Sequence, residues 1–265
     1  MKGQILKYRT SKGNGGQHET MERIITTGND YRPDAGSVGL GVSCHLRRCK
    51  AGRKVWVVLM SNVRIIHGDC MEAMASMKDK EFDLAIVDPP YGINMANGAH
   101  SNLKKLGNKD WDIQTPDNAY FSELFRVSEN QIIWGGNYFS LMPCRGFIFW
   151  DKTPMPPSYA AGEYAWTSFN CNAKKWNGKT GNETSVQFRI HPTQKPVALY
   201  QWLLKNYAKP GDKILDTHGG SCSIAIACDI MGFDCDIYEI DADYYKAAVE
   251  RFERHKQQTV LEFTA

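Results

Sequence analysis

The chain has 265 residues, 42% of them hydrophobic, which is ample for one α/β core, and its formal net charge is +3 at pH 7. No apolar run approaches the roughly 20 residues that a membrane span needs, and the polar, glycine-containing N-terminus does not resemble a secretory signal. The eight cysteines show no paired Cys-x-x-Cys spacing, so we expect neither a metal site nor a disulfide framework and assign the protein to the cytoplasm.

The basic charge of the chain is concentrated in residues 1–60. This segment holds 11 Lys and Arg against 4 Asp and Glu, a net charge of +7, whereas residues 61–265 carry −4. It is polar, glycine-rich and without a clear period before Val55, which predicts a poorly ordered extension. It is either a flexible arm with affinity for phosphates or a non-native extension upstream of a start at Met60. We favour the second interpretation, which leaves residues 61–265 as the folded domain.

Two predicted strands in the first half of this domain end in acidic residues. The run Ile65-Ile66-His67 leads into Gly68-Asp69 and an amphipathic helix, so Asp69 alone would indicate a turn and a helix cap. The apolar run 82–87 predicts a buried strand that ends in Asp88-Pro89-Pro90-Tyr91. Prolines lack the backbone N–H, so carbonyl groups here stay free. A site that combines a carboxylate, free carbonyl groups and an aromatic side chain suits the binding of a planar ring that carries an exocyclic amine.

The middle of the chain predicts regular α/β structure followed by an irregular segment. The polar stretch 94–111 predicts a loop over the ligand, and residues 116–127 predict a helix. Strands are expected over 131–134, 147–150 and 163–166. We assign the aromatic residues of these strands to the core, and we consider Asn137 and Asp151 further site candidates because they follow strands. Residues 154–189 mix lysines and asparagines, and we expect them to be mostly irregular.

The last part of the chain carries a helix start and a glycine turn. The segment His191-Pro192-Thr193-Gln194-Lys195-Pro196 precedes a helix, with Pro196 at its first position and Thr193 or Gln194 as its cap. Strand 214–216 then leads into the glycine turn 217–223, and the next strand ends at Glu239. A strand, a glycine turn and a helix begin a nucleotide-binding unit, and an acid about 20 residues farther on is placed to bind ribose hydroxyls.

Asp88-Pro89-Pro90-Tyr91, the 191–196 segment and the glycine turn together resemble the amino-methyltransferases that modify DNA bases with S-adenosylmethionine. The tetrapeptide precedes the glycine turn, which is the permuted motif order of the beta class. The resemblance implies an α/β, Rossmann-like methyltransferase fold with a mostly parallel, doubly wound sheet. It further requires the Asp88 strand and the Asp216 strand to lie side by side, so that both sites share one crevice.

The resemblance also assigns the site residues. The catalytic residues are Asp88, Pro89, Pro90 and Tyr91, with Tyr91 stacked on the target base. The residues expected to bind S-adenosylmethionine are Asp69, His191, Thr193, Lys195, Asp216, Gly219, Gly220, Ser221 and Glu239. Among them, Asp69 is placed at the adenine and the 191–196 segment at the methionine end.

The expected acceptor is the N6 amine of adenine in duplex DNA, because Asp is commoner than Ser at the first tetrapeptide position of adenine enzymes. Cytosine N4 is the alternative. Thr217, His218 and Cys222 stand where Pro, Phe and Gly are common, which leaves a catalytically impaired DNA-binding homologue as a further alternative.

Target recognition is assigned to a small insert, residues 154–189. Basic side chains hold phosphates and asparagines can contact base edges, and the DNA-binding candidates are Lys174, Lys175, Lys179 and Arg189. The insert is small, so we expect a short target sequence and a possible homodimer. No restriction nuclease partner is evident, which fits a phage or prophage modification enzyme.

Overall fold

The computed structural model describes residues 23–25, 41–48, 54–94, 109–152, 154, 160–178 and 189–264. For residues 23–25, 41–48, 54–60 and 259–264 the backbone alone is described. Most of the predicted loop 94–111 and the DNA-binding candidate Lys179 lie outside these ranges.

A three-stranded sheet precedes the main domain. It consists of β1 (Arg23–Ile25), β2 (Gly41–Arg48) and β3 (Lys54–Ser61), with β3 between the other two. We expected irregular backbone before Val55, whereas the antiparallel partner of the strand-forming run 55–60 is residues 41–48. The expected boundary after Met60 therefore falls inside β3. The assignment of residues 1–60 as a separate extension stays a prediction.

Eight strands of the described residues form the main sheet. They are β4 (Val63–His67), β5 (Phe82–Val87), β6 (Ser128–Trp134), β7 (Phe147–Asp151), β8 (Gly162–Thr167), β9 (Lys174–Trp176), β10 (Lys213–Asp216) and β11 (Asp234–Glu239). Their spatial order is β4-β11-β10-β5-β6-β8-β7-β9. The first five run parallel, whereas β8 pairs antiparallel with both β6 and β7. The predicted α/β fold with a mostly parallel sheet is confirmed.

Helices cover both faces of this sheet. They are α1 (Cys70–Ser76), α2 (Asn118–Val127), α3 (Val197–Tyr207), α4 (Ser223–Met231) and α5 (Ala242–Thr264). On β5, Leu84 and Ile86 pack in the core cluster that contains residues of α3, α4 and α5, whereas Ala85 and Val87 pack with residues of α1 and α2. A strand that is apolar on both faces is the pattern of a doubly wound sheet. None of the helices in the described ranges has the length and apolar character of a membrane span.

The start of α3 differs from the prediction. Pro196 is the N-cap residue rather than the first helical residue, and no side chain caps this helix. The Gln194 amide oxygen instead accepts a hydrogen bond from the Ile190 backbone N–H at 3.1 Å. Gln194 therefore fixes the turn before the helix and not the helix end.

The predicted recognition insert 154–189 contributes to the sheet. Besides β8, where a strand was expected over 163–166, residues 174–176 form β9, which pairs with β7 at the sheet edge. This part of the insert is therefore regular, where we expected it to be irregular. The assignment of 154–189 as a recognition insert stays a prediction.

Candidate active site

The carboxyl ends of the central parallel strands open into two adjoining cavities. The first has a volume of about 280 Å³ and the second about 330 Å³. They share the wall residues Asp88, Pro90, Trp111, Thr193 and Lys195. Strands β5 and β10 are parallel neighbours, as the permuted motif order requires. Asp88 and Asp216 are 128 positions apart in the sequence, but the pairing of their strands brings the two cavities next to each other.

The first cavity is bounded by the ends of β4, β10 and β11. Asp69 and Glu239, both predicted cofactor ligands, line it. The Glu239 carboxylate accepts hydrogen bonds from the Gly220 N–H at 2.6 Å and the Asp241 N–H at 2.8 Å. Burial raises the pKa of Glu239, and these backbone donors oppose that effect. Asp69 caps α1 by accepting from the Met71 N–H at 2.7 Å, so it serves as a helix cap and lines the cavity.

The glycine turn places backbone against the first cavity. Gly219, Gly220 and Ser221 line it, and Gly220 has a φ of +50°. Cys222 has a φ of +49°, which explains why glycine is common at this position. Its thiol is buried in the core cluster and is not part of the cavity lining. The Cys222 side chain therefore does not contribute to the cavity surface.

Asp216 lies behind the turn and outside the cavity lining. Its carboxylate accepts from the His218 backbone N–H at 3.0 Å, and burial raises its pKa to about 7. Its position indicates that it supports the turn, whereas the resemblance placed it among the cofactor ligands. His218 lines the cavity, and burial lowers its pKa to about 4.

His191 and Thr193 line the opposite side of the first cavity. The His191 ring packs against Trp111 and Tyr244, with centroid distances of 5.0 and 4.3 Å. Its Nδ1 lies 3.1 Å from the Thr193 hydroxyl. Burial, helped by the charge of Lys195, lowers the pKa of His191 to about 3, so the ring is neutral at pH 7.

The tetrapeptide after β5 is fixed by a carboxylate that the sequence analysis missed. Asp112 is 2% exposed, and its Oδ1 accepts from the Tyr91 N–H at 2.7 Å and the Gly92 N–H at 3.1 Å. The preceding residues are prolines and have no N–H, so these are the first backbone donors after Asp88. The Tyr91 hydroxyl donates to Asp88 Oδ1 at 2.5 Å. Asp112 thus holds the loop that orients Asp88.

The Tyr91 ring packs against Gly135 and Tyr138. A Cβ added to Gly135 would lie 2.1 Å from the ring, so the Gly135 backbone is in close contact with it. The Tyr138 ring stacks on Tyr91 at 4.9 Å with an interplanar angle of 10°. Tyr138 is 45% exposed. A base that stacks on Tyr91 at this face would therefore have to displace Tyr138.

Lys195 joins the two halves of the site. Its Nζ lies 2.5 Å from Asp88 Oδ2 and 3.1 Å from Glu163 Oε2, and its side chain is 2% exposed. The resemblance placed Lys195 at the methionine end of the cofactor, whereas its ammonium group contacts the Asp88 carboxylate. Glu163 is also paired with Lys152. Burial would raise the pKa of Glu163, but Lys195 and Lys152 outweigh it and lower this pKa to about 2.

Five aromatic side chains line the second cavity. They are Tyr91, Trp111, Tyr138, Phe149 and Tyr164. The assignment of all strand aromatics to the core is wrong for Phe147 and Phe149, which are exposed, whereas Tyr164 packs against the core and also lines the cavity. Asn137 also lines this cavity, as its position after β6 suggested. Asp151 instead pairs with Lys175.

The DNA-binding candidates lie apart from the cavities. Lys174 donates to the Asn206 amide oxygen at 3.1 Å, and its Nζ lies 4.7 Å from the centre of the Tyr207 ring. Lys175 is exposed and pairs with Asp151 at 3.0 Å. Arg189 is half-buried. None of these three lines a cavity, so their role on DNA stays a prediction.

The sequence is similar to those of known DNA methylases. Residues 150–250 match the family N6_N4_Mtase, described as DNA methylase. The type II methyltransferase M2.MboI of Moraxella bovis is 22% identical over 215 residues, which cover 63% of this chain and 78% of that protein. The type II methyltransferase M2.DpnII of Streptococcus pneumoniae is 22% identical over 244 residues, which cover 73% of this chain and 90% of that protein.

The fold of this chain is similar to that of a solved structure. The structure described as PvuII DNA methyltransferase (cytosine-N4-specific) gives a TM-score of 0.51 at 14% identity and covers 75% of this chain and 93% of that one. The methyltransferase fold that the motifs indicated is therefore confirmed, and the match over residues 150–250 agrees with the family that they indicated.

Replacing Asp112 by alanine tests its role in fixing the tetrapeptide loop. The partly buried hydrogen bonds from the Tyr91 and Gly92 N–H groups would lose their acceptor, at a cost of about 1–3 kcal/mol in stability. We expect kcat for methyl transfer to fall at least about tenfold, because small misplacements of reacting groups are costly. Thermal unfolding and transfer assays measure both effects. The exposed neighbour Asp110→Ala is the control, and equal activity of the two variants would contradict the assignment.

Proposed function

We propose that this chain is a DNA methylase of the N6/N4 family, that it uses S-adenosylmethionine, and that it methylates the N6 amine of adenine in duplex DNA. The observation that carries this proposal is the pair of cavities with a shared wall at Asp88. One cavity suits the methyl donor, and the other suits a base that has left the duplex. In this arrangement, Asp88 is placed at the point where the two substrates meet.

The residues of the first cavity fit S-adenosylmethionine. Asp69 and Glu239 supply carboxylate oxygens at two strand ends, and the Gly219-Gly220 turn lets a ligand approach the backbone closely. We assign the adenosine to this side and the methionine to the side of His191 and Thr193. When bound, S-adenosylmethionine supplies a methyl group on a positively charged sulfur. Ser221 completes the lining, and Asp216 supports the turn.

The second cavity fits a planar base with an exocyclic amine. An exocyclic amine is a poor nucleophile because its lone pair is delocalised into the ring. The Asp88 carboxylate and a carbonyl of the Pro89-Pro90 segment would accept its hydrogens and favour a more tetrahedral nitrogen. Placing the amine against the methyl group would supply much of the acceleration. Flipping the base costs a few kcal/mol, and stacking on Tyr91 would return about 1–3 kcal/mol.

Contact with DNA outside the cavities is assigned to basic side chains of the 154–189 segment. We propose that Lys174, Lys175, Lys179 and Arg189 contact phosphates, which would position the duplex without specifying its sequence. With so small a segment, a short target site read with the help of a second subunit is expected.

Methyl transfer to unmethylated duplex DNA, followed by mass analysis of the nucleosides, tests the proposal. We expect N6-methyl-deoxyadenosine from the wild type and none from Asp88→Ala, which should still bind S-adenosylmethionine because its loss affects the acceptor side. The exposed carboxylate Glu129 gives the control variant Glu129→Ala, which should keep full activity. N4-methylcytosine would correct the base, and near-normal turnover of Asp88→Ala would overturn the assignment of Asp88.

Replacing Tyr138 by alanine tests whether its ring occupies the place of the base. An aromatic pair is worth about 0.5–1.5 kcal/mol, so removing the ring that covers Tyr91 should raise kcat/KM for DNA about twofold to tenfold. Tyr138→Phe keeps the stacked ring and should behave as the wild type. A lower kcat/KM for the alanine variant would mean that Tyr138 supports the bound base instead of competing with it.

A further inference from the structure

A row of alternating charges, buried at Lys195 and partly buried at its other members, leads from the edge of the second cavity to Asp88. Lys195 stands between Asp88 and Glu163, and Glu163 stands between Lys195 and Lys152. These residues come from the end of β5, the turn before α3, β8 and the end of β7. A contact among segments so distant in sequence is specified by the fold and not by local structure.

The charges in this row compensate one another. An ammonium group buried without a partner is costly, and so is an unpaired carboxylate. Burial lowers the pKa of Lys195, but Asp88 and Glu163 together outweigh it and raise this pKa. Lys195 is therefore charged at neutral pH. Its Nζ also lies 5.2 Å from the centre of the buried Trp134 ring, a distance at which the ring favours a cation.

The two oxygens of Asp88 are held from opposite sides. Tyr91 donates to Oδ1 and Lys195 to Oδ2, both at 2.5 Å. A carboxylate oxygen has two lone pairs, so each oxygen can still accept a hydrogen from an amine. The orientation of the carboxylate is thus fixed while its capacity to bind the acceptor is kept.

We infer that Lys195 and Glu163 are positioning residues for the acceptor amine: Lys195 holds the Asp88 carboxylate, and Glu163 holds Lys195. This inference rests on the proposed function and adds Glu163, which no sequence motif marks. It also assigns Lys195 to the acceptor side of the reaction, whereas the resemblance placed it at the methionine end of the cofactor. Glu163 lines the second cavity only, which agrees with a role on the acceptor side.

Glu163→Gln is the main test, because the amide keeps the shape of the side chain and removes its charge. We expect kcat to fall at least about tenfold, while the dissociation constant and the KM for S-adenosylmethionine stay within about twofold. Calorimetric titration of the cofactor and steady-state transfer to duplex DNA measure these quantities. Glu123→Gln is the matched control, since Glu123 pairs with Arg126 on α2, away from the cavities.

Variants of Lys195 provide a second measurement. Lys195→Arg keeps the positive charge and should retain part of the activity, whereas Lys195→Met should lose it with cofactor binding preserved. Thermal unfolding identifies any variant that fails to fold, and Glu163→Gln then decides. A loss of cofactor affinity that parallels the loss of kcat would overturn the inference, and so would full turnover of Glu163→Gln. A wild-type protein that methylates no DNA base would instead refute the proposed function itself.

Discussion

The site depends on the parallel pairing of β5 with β10. Ile214 pairs with Leu84 and Leu215 with Ala85, so both strands end at the same edge of the sheet. One strand continues into the Asp88 tetrapeptide and the other into the glycine turn. In an open α/β sheet, ligands bind at this edge. The two cavities and their shared wall follow from this pairing, whatever the order of the motifs along the chain.

The carboxylates of the first cavity and of the shared wall have different kinds of partner. In the first, carboxylates are satisfied by backbone N–H groups, as the contact between Glu239 and Gly220 illustrates. The carboxylate oxygens keep lone pairs that can accept hydrogen bonds from hydroxyl groups of a ligand. At the shared wall, the Asp88 carboxylate is instead paired with the buried ammonium group of Lys195. Backbone donors suit a site that binds a ligand, whereas fixed ion pairs suit a carboxylate that must keep one orientation.

The sequence was sufficient to predict the fold and the residues at the strand ends, because each strand and each turn has a local signal. Asp69 and Glu239 each follow an apolar run, and so does the tetrapeptide that begins at Asp88. Contacts between distant segments have no such signal. Glu163 lies in an ordinary strand pattern, and Asp112 follows a polar stretch, so their roles depend on a packing that periodicity does not encode. The cavity-lining position of Phe149 was missed for the same reason.

The structure of the protein bound to a non-reactive analogue of S-adenosylmethionine would test the two-cavity account most directly. The account predicts the adenine near Asp69, the ribose hydroxyls on Glu239 and the methionine near His191. The group that replaces the methyl should point across the shared wall towards Asp88, leaving space for an amine about 3–3.5 Å away. An analogue bound in the second cavity, or with that group turned away from Asp88, would contradict the account.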